Sequence, residues 1–171
     1  GGATRIELCS SFDLGGLTPS YGSMKQVVLL SNEVPVYSMI RPRQGDFLYC
    51  DEDIETMKLD IDAAVTSGVK GVVFGVLADN GSIDLDKAKQ LVDRAKQHKL
   101  GTIFHRAIDQ CRDFRQAIDD MSGLGKDAVL MSCDMICEDI EEEDDASMFL
   151  AIPSTLHDDV TNVYSAVTYL C

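Results

Sequence analysis

At 171 residues with 45% hydrophobic side chains, the chain has the size and apolar content of one domain with a buried core. Fifteen basic against 29 acidic residues leave a net charge of −14, which argues against nucleic-acid binding, because neutralising phosphates needs a basic face. No apolar run approaches the roughly 20 residues that cross a bilayer, no basic-then-apolar leader opens the chain, and six scattered cysteines do not make a secreted disulfide framework. A protein without membrane partners, with reduced thiols in the cytosol, is expected.

Short β-rich runs alternate with helical patterns along the chain. The first run, 5–9, places Ile6 and Leu8 on one side and Arg5, Glu7 and Cys9 on the other. The loop Gly15-Gly16-Leu17-Thr18-Pro19-Ser20 follows, with Thr18 or Ser20 suited to cap the next helix; two glycines alone do not make a phosphate loop. A second run at 36–41 is stopped by Pro42. Ile54, Met57, Ile61 and Val65 then form a helical stripe, with Asp51 expected as N-cap and Gly68 as C-cap. The third run, 72–77, is apolar throughout, and its Gly75 permits a close approach of another group. Asp84 caps a helix striped by Leu85, Ala88, Leu91, Val92 and Ala95. A fourth run at 102–106, a short stripe of Phe114, Ala117, Ile118 and Met121, and a fifth run at 128–132 complete the pattern. Strand starts 31, 36, 30 and 26 residues apart match the repeat of about 31 residues in a (β/α)₈ barrel. The expected class is α/β, an incomplete TIM (β/α)₈-type barrel of about five parallel strands; a doubly wound open sheet is the alternative.

The charge changes at Ser132. All basic residues lie at or before Lys126, and residues 133–171 hold ten acidic residues and no Lys or Arg. The chain thus divides into a barrel part, 1–132, and an acidic divergent tail, 133–171, whose run 138–145 repels itself and is expected to be solvated or disordered. A strand pattern starting almost directly after Gly1-Gly2-Ala3, with no initiator Met, suggests a fragment that enters its fold part-way.

Charges inside a strand buried on both faces need a reason. Glu7 is either the catalytic carboxylate of an inward site or half of an ion pair with an arginine on a neighbouring strand. Arg41 and Arg43 project from the end of the second strand, the end at which barrel active sites lie, and suit a carboxylate or phosphate of a substrate. His105, Arg106 and Asp109 bring imidazole, guanidinium and carboxylate to the end of the fourth strand. His105 and Asp109 are candidates for proton transfer and Arg106 for anchoring an anion. Adjacent strand residues point oppositely, so His105 and Arg106 do not both face inward. Glu7, Arg41 and His105 are expected to gather around one cavity.

Arg5-Ile6-Glu7-Leu8-Cys9-Ser10, the Gly15 to Ser20 loop, Met39-Ile40-Arg41-Pro42-Arg43 with Gly45-Asp46-Phe47, Gly71-Val72-Val73-Phe74-Gly75-Val76-Leu77 and Phe104-His105-Arg106-Ala107 with Asp109 together resemble the CutC copper homeostasis protein family. The resemblance covers residues 1 to about 132. It implies a TIM barrel, a cytoplasmic and sometimes nuclear location, and a part in copper handling. It also implies that this chain supplies strands two to six of eight. Five strands leave two open edges, from which poor solubility, self-association or a tail folded over the gap would follow.

Copper(I) prefers thiolate and thioether ligands. Cys9, at the rim end of the first strand, is the candidate metal ligand, with Met39 or a tail sulfur as partner. The run Met131-Ser132-Cys133-Asp134-Met135-Ile136-Cys137 is a second candidate, and no nucleotide cofactor is implied. Three functions compete: copper(I) binding in copper homeostasis, a barrel enzyme acting on a small anionic substrate by acid-base chemistry, and an inactive truncated product.

Overall fold

In a computed structural model, five parallel strands stand side by side in the order in which the chain supplies them. They are β1 (Arg5–Leu8), β2 (Val36–Met39), β3 (Gly71–Phe74), β4 (Gly101–Phe104) and β5 (Ala128–Ser132). The structure describes residues 4–124 and, as backbone strands, 128–132, 149–153 and 167–170. Helices α1 (Tyr21–Leu30), α2 (Asp51–Ser67), α3 (Leu85–Gln97) and α4 (Phe114–Leu124) make the crossovers. This sequential order is that of a barrel segment, whereas a doubly wound sheet reverses direction at a switch point.

Two further strands flank the five. β6 (Phe149–Pro153) runs antiparallel to β5, and β7 (Val167–Leu170) runs parallel to β1, giving the order β6-β5-β4-β3-β2-β1-β7. The edges of β1 and β5, expected to be open, are therefore paired, because exposed edge amides and carbonyls take a strand wherever one is available. The acidic run 138–145 lies outside the described residues.

The caps show how local chemistry sets the crossovers. Asp84 accepts the Lys87 N–H at 3.0 Å, and Gly68 ends α2 at φ 96°, as expected. Asp51 is not the cap of α2. Cys50 takes that place, and Asp53 in the first turn accepts the Cys50 N–H at 3.3 Å. Ser20 rather than Thr18 caps α1, accepting the Ser23 N–H at 3.1 Å.

Strand register sorts the side chains. Ile6 pairs with Val36, Val36 neighbours β3 through Tyr37 beside Gly71, and Val72 pairs with Thr102. The even-numbered set Ile6, Leu8, Val36, Ile40, Val72, Phe74 and Phe104 packs against Ile54, Met57 and Ile61 of α2, Leu91 and Val92 of α3, and Met121 of α4 in one continuous core. Each such side chain, fully buried, contributes about 1.5–3 kcal/mol. The odd-numbered set lies on the opposite face: Arg5, Glu7 and Cys9, then Tyr37, Met39 and Arg41, then Gly71, Val73 and Gly75, then Gly101, Ile103 and His105.

Candidate functional site

Glu7 is buried, and its Oε1 accepts from Arg5 Nη2 at 2.8 Å. The ion pair expected for it thus exists, but with an arginine two residues earlier on its own strand. Residues i and i+2 share a strand face at a spacing a guanidinium spans. Burial raises the Glu7 pKa more than the Arg5 charge and hydrogen bond lower it. Its Oε2 is buried without a hydrogen-bond partner. The Arg5 guanidinium also lies over the Tyr37 ring, 5.3 Å from its centroid. Tyr37 occupies the space that side chains at Gly71 and Gly101 would fill, since a Cβ at Gly101 would meet its hydroxyl at 2.4 Å.

One step along the same face, Cys9 and Met39 are both buried and converge on Gly16. A Cβ built on Gly16 would lie 3.4 Å from the Cys9 sulfur and 3.6 Å from the Met39 methyl. Gly16 is at φ 81°, so the loop passes over the two sulfur side chains in a conformation that favours glycine. Ser10 and Leu17 exchange backbone hydrogen bonds at 2.9 and 2.7 Å, which fixes this loop against the end of β1.

Arg41 stands beyond Met39 and is 6% exposed. Its Nη1 donates to the carbonyls of Leu14 at 3.0 Å and Gly16 at 3.3 Å, and its Nη2 to that of Gly45 at 2.7 Å. Its own N–H donates to Thr18 Oγ1 at 2.9 Å, while Thr18 N–H returns a bond to the Arg41 carbonyl at 3.0 Å. Thr18 in turn donates to Asp60 of α2 at 3.0 Å. Phe47 lies 4.8 Å from the guanidinium carbon and 4.8 Å, ring to ring, from His105. The Phe47 ring thus joins Arg41 to His105.

His105, 3% exposed, begins a short 3₁₀ turn, and its Nδ1 accepts the Ala107 N–H at 3.1 Å. A neutral ring so held carries its proton on Nε2. Gly75 is what admits the ring: a Cβ there would stand 2.6 Å from His105 Nδ1. The inward residue of the pair at the end of β4 is therefore His105. Arg106 is half exposed and bonds Asp109 at 2.9 Å.

These positions coincide with a shared sequence. The model of the CutC family matches residues 1–145. The chain belongs to the CutC family. Over 132 residues it is 54% identical to the CutC family protein of Aliivibrio fischeri and 55% identical to that of Vibrio parahaemolyticus, covering 77% of this chain and 53% of each relative. The chain thus spans about half the length of the curated CutC relatives it matches. Among solved structures it is similar to CutC of Streptococcus agalactiae, named for copper homeostasis, at 35% identity and a TM-score of 0.69, covering 74% of this chain and 61% of that one. That likeness places the five-strand sheet in the CutC fold, a TIM-barrel-type α/β architecture.

Within this CutC sheet, the residues singled out in the sequence divide into three places. Arg41 and His105 meet through Phe47. Cys9 meets Met39. Glu7 stands apart from the rim: its register partner Tyr37 precedes Arg41 by four residues, about 13 Å of strand. Glu7 thus shares the sheet face of Arg41 and His105 but sits nearer the start of the strands. Arg43 is also turned away, bonding Asp46 at 3.0 Å and Asp53 at 3.2 Å and lying over the Tyr49 ring at 5.0 Å. Its charge has two carboxylate partners, a structural use of the rim. Phe47 entered the sequence reading only within the motif Gly45-Asp46-Phe47 and Tyr49 not at all, although the Pro42 to Asp46 turn before them signals a segment folding back over the strand ends.

No group of three or more His, Cys, Asp or Glu side chains suited to a metal exists among the described residues. None of the described cysteines, Cys9, Cys50 and Cys111, is in a disulfide. Burial raises the Cys111 pKa to about 11, with Asp120 and Asp109 adding to the rise, so its sulfur is a thiol at neutral pH and a poor ligand. The sulfur run Met131 to Cys137 lies at its start in β5 and otherwise outside the described residues. No helix among those described is long and apolar enough to cross a membrane.

Proposed function

We propose that the chain binds copper(I) as cargo in copper homeostasis, through the Cys9 thiolate and the Met39 thioether, in the reducing cytoplasm. The observation that carries this reading is the convergence of the two sulfur side chains on Gly16. Copper(I) takes soft donors at low coordination number, and a thiolate with a thioether is such a set. Their burial keeps water and oxidants away from a bound cuprous ion. Family membership adds support, because CutC of Streptococcus agalactiae carries a copper homeostasis name.

Titration of the reduced chain with copper(I) against a chromophoric chelator tests it. One equivalent binds tightly, and Cys9→Ala weakens that binding by more than about tenfold, over about 1.4 kcal/mol. Met39→Leu, close in volume, weakens it less. Equal affinity of Cys9→Ala and the parent chain contradicts the reading.

A further inference from the structure

The segment between β3 and α3 folds back on itself as a tight hairpin. Ala78 N–H donates to the Ser82 carbonyl at 2.8 Å and Gly81 N–H to that of Ala78 at 2.9 Å, with Gly81 at φ 79°. Arg112 N–H donates to the Gly81 carbonyl at 2.9 Å, which holds the hairpin against the start of α4. Between hairpin and helix lies a cleft of about 270 Å³, lined by none of the rim or sulfur residues described above. That volume suits a ligand smaller than a drug.

The lining is sorted by chemistry. Its apolar part is Ile83 and Ala117, both buried. Arg112 lines the cleft at the N-terminal end of α4, and its guanidinium has no ion pair or hydrogen bond among the described residues. Asp113, next to it in the chain, commits its carboxylate to the helix instead, accepting the Gln116 N–H at 3.0 Å. Asp120 lines the same cleft further along the helix. One of its oxygens accepts from Gln116 Nε2 at 2.9 Å, and among the described residues no cation pairs with it. The helix from Asp113 to Asp120 spans about 10 Å, so guanidinium and carboxylate face one cleft without meeting. Elsewhere on the surface, charges closer in sequence do meet, as Lys58 with Glu55 and Lys89 with Asp93.

We propose that this cleft binds an elongated zwitterion, its carboxylate on Arg112, its ammonium on Asp120 and its aliphatic chain against Ile83 and Ala117. A carboxylate matches the guanidinium fork, an ammonium donates to the free Asp120 oxygen, and the methylene chain leaves water for apolar surface. The site is separate from the Cys9 and Met39 sulfurs and does not depend on copper.

The test follows the amide resonances of Gly81, Ile83 and Asp120 in the ¹⁵N-labelled full chain during titration with ε-aminocaproate, caproate, hexylamine and glycine at constant ionic strength. ε-Aminocaproate moves them saturably. Each of the other three lacks one charge or the length and binds at least about threefold more weakly, the worth of one part-exposed ion pair. In Arg112→Gln, ε-aminocaproate binds no better than hexylamine, and in Asp120→Asn no better than caproate. Should either variant fail to fold, the four ligands on the parent chain decide the matter. Resonances that stay still, caproate, hexylamine or glycine binding as tightly as ε-aminocaproate, or parental affinity in either folded variant overturns the proposal.

Discussion

On the helix side of the sheet, Ile6, Leu8, Ile40, Val72, Phe74 and Phe104 meet apolar residues of three helices. On the other side, the same strands present Glu7, Cys9, Tyr37, Met39, Arg41 and His105. Apart from the part-exposed Tyr37 both sets are buried, yet only the second contains ionisable groups whose hydrogen bonds and charges are incompletely met. Burial of apolar groups stabilises a fold, whereas burial of Glu7 and Arg41 opposes it. The helix face therefore supplies the stability against which the polar face is held in place.

Substitutions that exchange the roles of the two faces separate them. Phe104→Ala, on the helix face, empties a fully buried site and costs about 3–5 kcal/mol in urea unfolding. Copper affinity measured on the folded fraction stays unchanged. Gly75→Ala acts from the polar face, driving a methyl against His105 Nδ1 and Ala107. It costs about 1–3 kcal/mol as overpacking and displaces the His105 ring. Thr18→Val removes the hydroxyl that links Arg41 to Asp60 and costs about 1 kcal/mol, read as a lower thermal midpoint.

The smallest effect sharpens the comparison most. The folded-state pKa of Glu7 is raised above its ordinary value, so the folded chain binds the proton more tightly than the unfolded one. The Glu7 contribution to stability is therefore fully present below the unfolded pKa and is lost as pH rises through the folded pKa. Glu7→Gln keeps an acceptor for Arg5 and removes the titration. Its stability profile should lack this fall, which stability measured from about pH 4 to 8 would reveal. An identical profile in parent and variant would place the titration elsewhere.

The fold was legible because its signals are local. The strand starts, the Asp84 and Gly68 caps and the alternation of Arg5, Glu7 and Cys9 against Ile6 and Leu8 depend on neighbours in sequence; the structure carries the caps and the alternation, and starts β3 and β4 one residue earlier than read, at Gly71 and Gly101. Asp51 misled because three acidic residues, Asp51, Glu52 and Asp53, open α2, and it is Asp53 that reaches the Cys50 amide. The site was legible by residue type more than by partner. Glu7 was singled out as a charge inside a strand and Arg41 as a charge at a strand end, but periodicity does not tell which carbonyl or carboxylate a guanidinium meets. Arg43 and Arg106 follow Arg41 and His105 at the same rim, yet each turns outward to carboxylates three residues along. Tyr37 carried a readable signal, sharing the odd-numbered face with Met39 and Arg41. Its bed on Gly71 and Gly101 appears only when three strands are aligned.

The pairing of Cys9 with Met39 is tested most directly by the Met39 methyl resonance of reduced chain carrying ¹³C-labelled methionine methyls, followed as copper(I) is added. One equivalent should shift the Met39 signal in the parent chain and leave it in place in Cys9→Ala. A Met39 signal that stays still while the parent chain takes up its first equivalent, or that shifts equally in Cys9→Ala, would contradict a shared two-sulfur site.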